Sequence, residues 1–208
     1  MQILADYHTH TIYSHGKGTI EDNVKVAISN RHVHLTKETY EKLFDFPLTK
    51  RNDLNQIGQF AANETVDLIS GDKVIENVRI VGPFRNYNQV EISKTDAYKL
   101  KLNPPVRTSG DLSGSEHITL RTDKASITLD EGCIIADRHV HFNISEADKY
   151  HVKDKDKLKL HILGEKRGTI EVFAKVSDDG FYEVHLDTDD ANAFLLNNGD
   201  EVVLEAND

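Results

Sequence analysis

A four-residue motif that occurs twice constrains this chain more than any other feature. Arg31-His32-Val33-His34 returns as Arg138-His139-Val140-His141. Each copy follows a short apolar run, Val26-Ala27-Ile28 or Ile134-Ile135-Ala136, and such runs are typical of β-strands. Side chains two residues apart leave a strand on the same face. Each copy is therefore predicted to direct two imidazoles towards one point.

Two imidazoles on one face of a strand form half of a transition-metal site, and zinc is the commonest occupant of such sites. A second repeat suggests the missing ligands. Glu91 lies five residues before Asp96-Ala97, and His185 lies five residues before Asp190-Ala191. Glu91 and His185 are thus equivalent positions in two half-chains. The sequence predicts two metal groups, which are His32, His34 and Glu91 in one half and His139, His141 and His185 in the other.

The two predicted groups differ in chemistry. Three histidines leave a fourth position of zinc open, where a thiolate would bind well. The carboxylate of Glu91 makes the other group a harder ligand set, which suits water or phosphate oxygens. Arg85 lies in a loop six residues before Glu91, and a guanidinium binds phosphate through two parallel hydrogen bonds. The alternatives are strand histidines with a structural role and a surface arginine in an ion pair.

Many short strands and few short helices predict a mainly β fold, built by internal duplication as two related small β-barrel domains capped by short helices. We expect an N-terminal extension at 1–27, a first barrel half at 28–112 and a second at 113–208, because the loop at 104–115 is the most turn-rich stretch. The predicted helices are residues 36–44, 95–100, 145–150 with Ser145 as N-cap, and 189–196.

Composition excludes several classes of function. A formal charge of −10 argues against a nonspecific nucleic-acid surface. The chain has no apolar run of about 18 residues, so we expect no membrane span. Asp6, His8 and His10 interrupt any apolar start, so we expect no secretory signal. The single cysteine, Cys133, fits a reducing compartment and a place in the core. We therefore expect a cytoplasmic protein.

The N-terminus carries a third His-x-His pattern. Asp6-Tyr7-His8-Thr9-His10, followed by His15, Gly16 and Gly18, resembles the first strand and loop of a PHP-family metal-dependent phosphoesterase. The resemblance covers residues 1–25 only. It admits either a further metal site or a fused strand with solvated histidines, and we favour the fused strand.

The rest of the chain resembles a second family. The motifs that carry the resemblance, in chain order, are Ser29-Asn30-Arg31-His32-Val33-His34-Leu35, Gly82-Pro83-Phe84-Arg85, Gln89-Val90-Glu91-Ile92-Ser93, Pro105-Val106-Arg107-Thr108-Ser109-Gly110, Arg138-His139-Val140-His141 and His185-Leu186-Asp187-Thr188-Asp189. Together they are similar to the PduL-type phosphate acyltransferases, from about Ile28 to the C-terminus. This resemblance implies reversible transfer of a propanoyl or acetyl group between coenzyme A and inorganic phosphate. It also implies two β-barrels with two zinc ions between them.

The resemblance also implies roles for individual residues. His139, His141 and His185 would hold the zinc that meets the sulfur of coenzyme A, and His32, His34 and Glu91 would hold the second, with water or His117 completing its shell. Arg85 would orient phosphate as the catalytic residue. Arg107, Ser109 and Gly110 would contact coenzyme A. Family members destined for bacterial microcompartments often carry an amphipathic targeting helix at the N-terminus, and the sequence of residues 1–27 does not resemble one. A free cytosolic phosphotransacetylase and a shell-associated enzyme of propanediol degradation both stay open, as does a homo-oligomer.

Two other classes of function are compatible with these patterns. A metal-dependent hydrolase, either a thioesterase or a phosphoesterase, would use the second metal to activate water and would not need phosphate. A non-catalytic metal-binding assembly module would explain the duplication without any turnover.

Overall fold

The computed structural model describes residues 20–206, and the histidine motif at residues 6–10 lies outside them. Fourteen strands and four short helices occur in this described part. In chain order they are β1 (Ile20–Ser29), β2 (His32–His34), α1 (Lys37–Leu43), β3 (Lys50–Asp53), β4 (Phe60–Ser70), β5 (Lys73–Gly82), β6 (Gln89–Glu91), α2 (Lys94–Leu100), β7 (Val106–Arg107), β8 (Glu116–Arg121), β9 (Ser126–Ala136), β10 (His139–Phe142), α3 (Ile144–Lys149), β11 (Lys157–Ile162), β12 (Gly168–Val176), β13 (Glu183–Asp187), α4 (Thr188–Ala193) and β14 (Glu201–Ala206).

The strands close into two six-stranded barrels. Barrel I has the order β4-β5-β2-β6-β9-β8, which closes because β8 also pairs with β4, and β3 and β7 extend it at the edges. Barrel II has the order β11-β12-β10-β13-β1-β14, which closes through β11 and β14. The two orders correspond strand for strand. The mainly β, duplicated fold expected from the sequence is confirmed.

The strand that precedes each His-x-His motif belongs to the opposite barrel. β1 leads into β2 of barrel I, yet it pairs with β13 and β14 of barrel II. β9 leads into β10 of barrel II, yet it pairs with β6 and β8 of barrel I. The chain therefore crosses between the barrels twice, each time immediately before the motif. This exchange brings the two motifs to the junction of the barrels.

The exchange divides the chain differently from the boundaries expected at 27/28 and 112/113. Residues of β1 supply Val24 and Val26 to the core of barrel II. β8 and β9 follow the loop at 104–115 but supply Ile118 and Cys133, respectively, to the core of barrel I. The turn-rich composition of residues 104–115 correctly predicted a loop. The barrel that a strand joins, however, depends on the strands with which it pairs.

Each helix begins just after a short strand of the site. Thr36, Ser93, Asn143 and Asp187 are the four N-caps, and each side chain accepts a hydrogen bond from a backbone N–H of the first turn. The expected N-cap at Ser145 is wrong, because Glu146 completes a capping box with Asn143. The last helix ends at Ala193 and not at Leu196.

The apolar residue between the two histidines faces the core of its barrel. Val33 and Val140 are each 0% exposed, as the alternation of strand side chains requires. The histidines on either side therefore face away from the barrel cores. Among residues 20–206, no helix has the length and apolarity needed to cross a membrane.

Candidate metal centres between the barrels

His32, His34 and Glu91 form one compact group of metal-ligand side chains. The Nε2 atoms of His32 and His34 lie 3.1 Å apart, and Glu91 Oε2 lies 3.5 Å from His32 Nε2. β2 and β6 are antiparallel, and Glu91 lies directly opposite His32 in the pair. His32 Nδ1 lies 2.8 Å from the Asn30 carbonyl oxygen and His34 Nδ1 lies 3.1 Å from that of Val81. Each Nδ1 can donate to its carbonyl, which leaves Nε2 free to bind a metal.

His139, His141 and His185 form the equivalent group in barrel II. The Nε2 atoms of His139 and His141 lie 3.2 Å apart, and His185 lies opposite His139 in the antiparallel pair of β10 and β13. His139 Nδ1 lies 2.8 Å from the Asp137 carbonyl oxygen, and His32 Nδ1 lies at the same distance from the Asn30 carbonyl oxygen. In each group the candidate ligand atoms lie within 4.8 Å of one another. The sequence prediction that Glu91 and His185 are equivalent agrees with this register.

His139 and His141 are held in the neutral form. Burial lowers the pKa of His139 to about 3, and His185 and Lys175 add to the effect. Burial, and then the neighbouring His139 and His185, hold the pKa of His141 far below its usual value. Neutral imidazoles are the form that binds metal, so these two ligands need no proton loss to accept a cation at neutral pH.

The carboxyl group of Glu91 is held in the ionised form. Burial favours the neutral acid of Glu91, but His32 and His34 outweigh it and hold the pKa of the carboxyl well below its usual range. Burial lowers the pKa of His32, yet attraction to Glu91 raises it overall. The pKa of His34 is well below normal because of burial, His32 and Arg85. The two groups thus present different donor sets, three imidazoles in one and two imidazoles with a carboxylate in the other.

Residues of both groups line one pocket at the junction of the barrels. They are Glu91 of barrel I and His139 and His185 of barrel II. Residues of the two connections where the chain crosses between barrels, Ser29 to Arg31 and Ala136 to Asp137, also line it. The charges of Glu91 and His139 influence each other's pKa. The two groups are therefore neighbours across the junction of the barrels.

Arg85 is anchored beside the mixed group. Its Nη1 donates to Tyr87 Oη at 2.8 Å and to Ser109 Oγ at 3.3 Å. Ser109 Oγ also accepts from Gln89 Nε2 at 2.9 Å, and Gln89 contacts Glu91. The positive charge of Arg85 lowers the pKa of both His32 and His34. Arg85 has no carboxylate partner within residues 20–206, so its guanidinium is available to an anion.

Lys175 is a second cation near both metal groups, and no sequence pattern pointed to it. It lies beside His141 in the parallel pair of β10 and β12. Burial lowers its pKa, and the charges of Glu91 and Arg85 act on it from the other barrel. No ion pair or hydrogen bond of its ammonium group occurs within the described part of the chain. Its side chain leaves the sheet on the same face as the metal group.

The remaining predicted site residues are Arg107, Ser109, Gly110 and His117. Ser109 and Gly110 lie in the network of Gln89, because Gly110 N donates to Gln89 Oε1 at 2.8 Å. Arg107 lies further along this loop, where its guanidinium binds the carbonyls of Ser113 and Val106. His117 does not join the mixed group. It is exposed, and its Nδ1 lies 3.5 Å from Glu116.

The arginines before the two His-x-His motifs make equivalent ion pairs. Arg31 Nε lies 3.3 Å from Asp96, and Arg138 Nε lies 3.0 Å from Asp190. These aspartates are the repeated positions from which the duplication was inferred. Each ion pair links the segment where the chain crosses between the barrels to the helix that follows the strand of Glu91 or His185.

Comparison with known proteins identifies the family. A family model described as phosphate propanoyltransferase matches residues 25–197. The chain belongs to this family. The similar proteins include the phosphate propanoyltransferase of Thermotoga maritima, with 45% identity over 188 residues that cover 88% of this chain and 90% of the relative. The Priestia megaterium protein of the same name is 46% identical over 186 residues, which cover 88% of this chain and 86% of the relative.

Membership of the phosphate propanoyltransferase family confirms the resemblance inferred from the motifs. Both metal groups, Arg85 and the 107–110 loop lie inside the matched segment 25–197. Sequence reasoning missed Gln89, Glu183 and Lys175. A signal existed for the first two, because each lies two residues before the last member of a metal group and so shares its face of the strand.

Proposed function

We propose that this protein transfers a short acyl group, propanoyl or acetyl, reversibly between coenzyme A and inorganic phosphate at a two-zinc site. One observation carries the proposal: members of two metal-ligand groups of opposite chemical preference line one pocket between the barrels. The relatives' name, phosphate propanoyltransferase, supports a phosphotransacylase. The assignment of zinc and of acyl-group range is our own.

The donor sets fit zinc. Three imidazoles, or two imidazoles and a carboxylate, are ligand sets of catalytic zinc, which keeps a position open for substrate. His139, His141 and His185 would hold the ion near the sulfur of coenzyme A, and His32, His34 and Glu91 the ion near phosphate. Bound there, zinc would supply Lewis-acid stabilisation of the leaving thiolate and of phosphate oxygens.

The chain's own residues position the reactants. Arg85, held by Tyr87 and Ser109, binds phosphate through two parallel hydrogen bonds and directs one oxygen at the thioester carbon. The new oxygen–carbon bond forms as the carbon–sulfur bond breaks, and the thiolate leaves. Cys133 is 0% exposed and serves no nucleophilic role. Catalysis is positional and electrostatic, without an acyl-enzyme.

Coenzyme A is proposed to lie along the loop that contains Arg107, Ser109 and Gly110. Ser109 and Gly110 contact the network of Glu91, so this loop adjoins the pocket. Arg107 lies further out and is half-buried. Its guanidinium would meet a phosphate of the nucleotide.

The decisive experiment follows release of coenzyme A from acetyl-CoA and propanoyl-CoA with a thiol reagent. Four conditions are compared, with and without phosphate, and before and after metal removal by a chelator. Acyl transfer requires release that depends on both phosphate and metal and is restored by zinc. Equal release without phosphate would identify a thioesterase instead. No release with zinc restored would leave only a metal-binding module.

We propose a cytoplasmic location for this activity. The ratio of rates with propanoyl-CoA and acetyl-CoA separates a role in propanediol degradation from a role in acetyl phosphate metabolism. Co-purification of the tagged chain with microcompartment shell proteins tests shell association. Light scattering of the purified chain tests for a homo-oligomer.

A further inference from the structure

Tyr87 and Ser109 both contact one nitrogen of Arg85. The Nη1 atom of Arg85 donates to Tyr87 Oη at 2.8 Å and to Ser109 Oγ at 3.3 Å. The guanidinium carbon also lies 5.6 Å from the centre of the Tyr87 ring. Two hydroxyl groups are therefore brought together at the arginine, one from the connection between β5 and β6 and one from the loop at 104–115.

The hydroxyl group of Ser109 has only its hydrogen left to offer. Its oxygen accepts from Arg85 and, at 2.9 Å, from Gln89 Nε2. A hydroxyl oxygen has two lone pairs, so these two bonds occupy both of them. Tyr87 Oη also accepts from Arg85. Within residues 20–206, neither hydroxyl hydrogen has an acceptor.

Gly110 leaves space beside the hydroxyl group of Tyr87. The Cβ atom of any other residue at position 110 would lie 3.4 Å from Tyr87 Oη. The φ angle of Gly110 is +99°, which favours glycine at this position. Tyr87 and Ser109 are half-buried, so part of each remains exposed to a small ligand.

The cluster of Arg85, Tyr87 and Ser109 offers only hydrogen-bond donors to an incoming molecule. A ligand that accepts from a guanidinium and from two hydroxyl groups is an oxyanion. A hydroxyl group that accepts from a cation is polarised and becomes a stronger donor. Gln89 Nε2 donates both to Ser109 and to Glu91, so this cluster adjoins the mixed metal group.

We propose that Tyr87 and Ser109 bind the substrate phosphate together with Arg85. Each hydroxyl group accepts from Arg85 and donates its own hydrogen to an oxygen of the same phosphate ion. Ser109 is thereby assigned to phosphate, while Arg107, further along the loop, remains the residue that meets coenzyme A. This inference rests on the use of phosphate in the proposed function.

Tyr87→Phe removes the hydroxyl group and keeps the aromatic ring beside Arg85. We expect kcat/KM for phosphate to fall by about 10- to 100-fold, because a hydrogen bond to a charged group is lost. KM for acyl-CoA should not change. Tyr98→Phe is the matched control, since Tyr98 is 84% exposed on α2. Unchanged phosphate kinetics in a folded Tyr87→Phe protein would overturn the role of Tyr87.

Ser109→Ala separates phosphate binding from coenzyme A binding at this position. The variant should lower kcat/KM for phosphate and leave KM for acyl-CoA unchanged. Ser113→Ala is the control in the same loop, because Ser113 contacts Arg107 through its backbone carbonyl. A higher KM for acyl-CoA with unchanged phosphate kinetics would overturn the assignment of Ser109. Circular dichroism monitors the folding of each variant.

Incorporation of 3-fluorotyrosine at position 87 distinguishes donation to phosphate from support of Arg85 alone. Fluorine makes the phenol a stronger donor and a weaker acceptor. We therefore expect KM for phosphate to fall near neutral pH. An unchanged or higher KM would show that Tyr87 only accepts from Arg85, and would overturn the inference. Release of coenzyme A by the wild-type protein without any dependence on phosphate would instead overturn the proposed function.

Discussion

Glu91 and His139 belong to different barrels, yet they line the same pocket and influence each other's protonation. This proximity arises because each His-x-His strand is entered from a strand of the opposite barrel. The two metal groups cannot be separated without breaking both barrels.

Arg85→Lys should impair the use of phosphate more than the binding of acyl-CoA. Lysine retains the charge but loses the planar pair of donors, and each charge-assisted hydrogen bond contributes about 1.5–3 kcal/mol. We expect kcat/KM for phosphate to fall on the order of 100-fold. Arg121→Lys is the matched control, because Arg121 pairs with Asp67 on the outer surface. An equal effect in both variants would contradict the role of Arg85.

Lys175→Met should also lower kcat/KM for phosphate, on the order of tenfold, because one positive charge near the pocket is lost. The effect should weaken as salt concentration rises. Lys159→Met is the control, since Lys159 pairs with Glu205 away from the pocket. Steady-state kinetics at two ionic strengths measures the difference. A salt-independent loss would indicate a packing role instead.

Val26→Asp should destabilise barrel II strongly, although Val26 precedes the first His-x-His motif. Val26 is 3% exposed in the core of barrel II, and an unpaired buried carboxylate costs several kcal/mol. Lys25→Asp, at an exposed position of the same strand, should have little effect. Hydrogen exchange would locate the loss of protection in β10 to β14. Protection lost in barrel I alone would contradict the strand exchange.

Cys133 should be inert to thiol reagents in the folded protein. Burial, with help from Glu116, raises the pKa of its thiol to about 12, so the thiolate fraction at pH 8 is negligible. We expect no reaction with a chromogenic disulfide reagent under native conditions and one equivalent in denaturant. Rapid native labelling would show that β9 opens readily. The result also determines whether coenzyme A release can be followed without background.

The metal-free protein should lose stability as pH falls below about 6.5, the usual pKa of histidine. His139 has its pKa lowered to about 3, so between these values the unfolded chain binds a proton that the folded chain does not. The unfolded state is then favoured by about 1.4 kcal/mol per pH unit for this one group. Urea unfolding between pH 7 and pH 5 measures the slope. His139→Gln should reduce the slope, and an identical slope would contradict the assignment.

The predicted N-cap of helix α3 is wrong because two favoured N-cap residues lie close together in the sequence. Ser145 and Asn143 are both favoured N-cap residues, and the structure selects Asn143 because Glu146 then lies at the third helical position and returns a hydrogen bond. The presence of this helix could be predicted from the sequence, but its first residue depended on which N-cap makes the reciprocal hydrogen bond with Glu146.

The features with a local period could be predicted from the amino-acid sequence. A two-residue alternation was sufficient to place both histidines of each motif on one face, and the repeat was sufficient to identify Glu91 and His185 as equivalent positions. Which barrel β1 joins could not be predicted, because its strand partners lie more than 100 residues away in the chain, as Ala27 and His185 do. The two-residue spacing marked the position of Glu183, but neither its partner Gln56 nor the place of Lys175 near Glu91 could be predicted. These neighbours are brought together only when the two barrels close against each other.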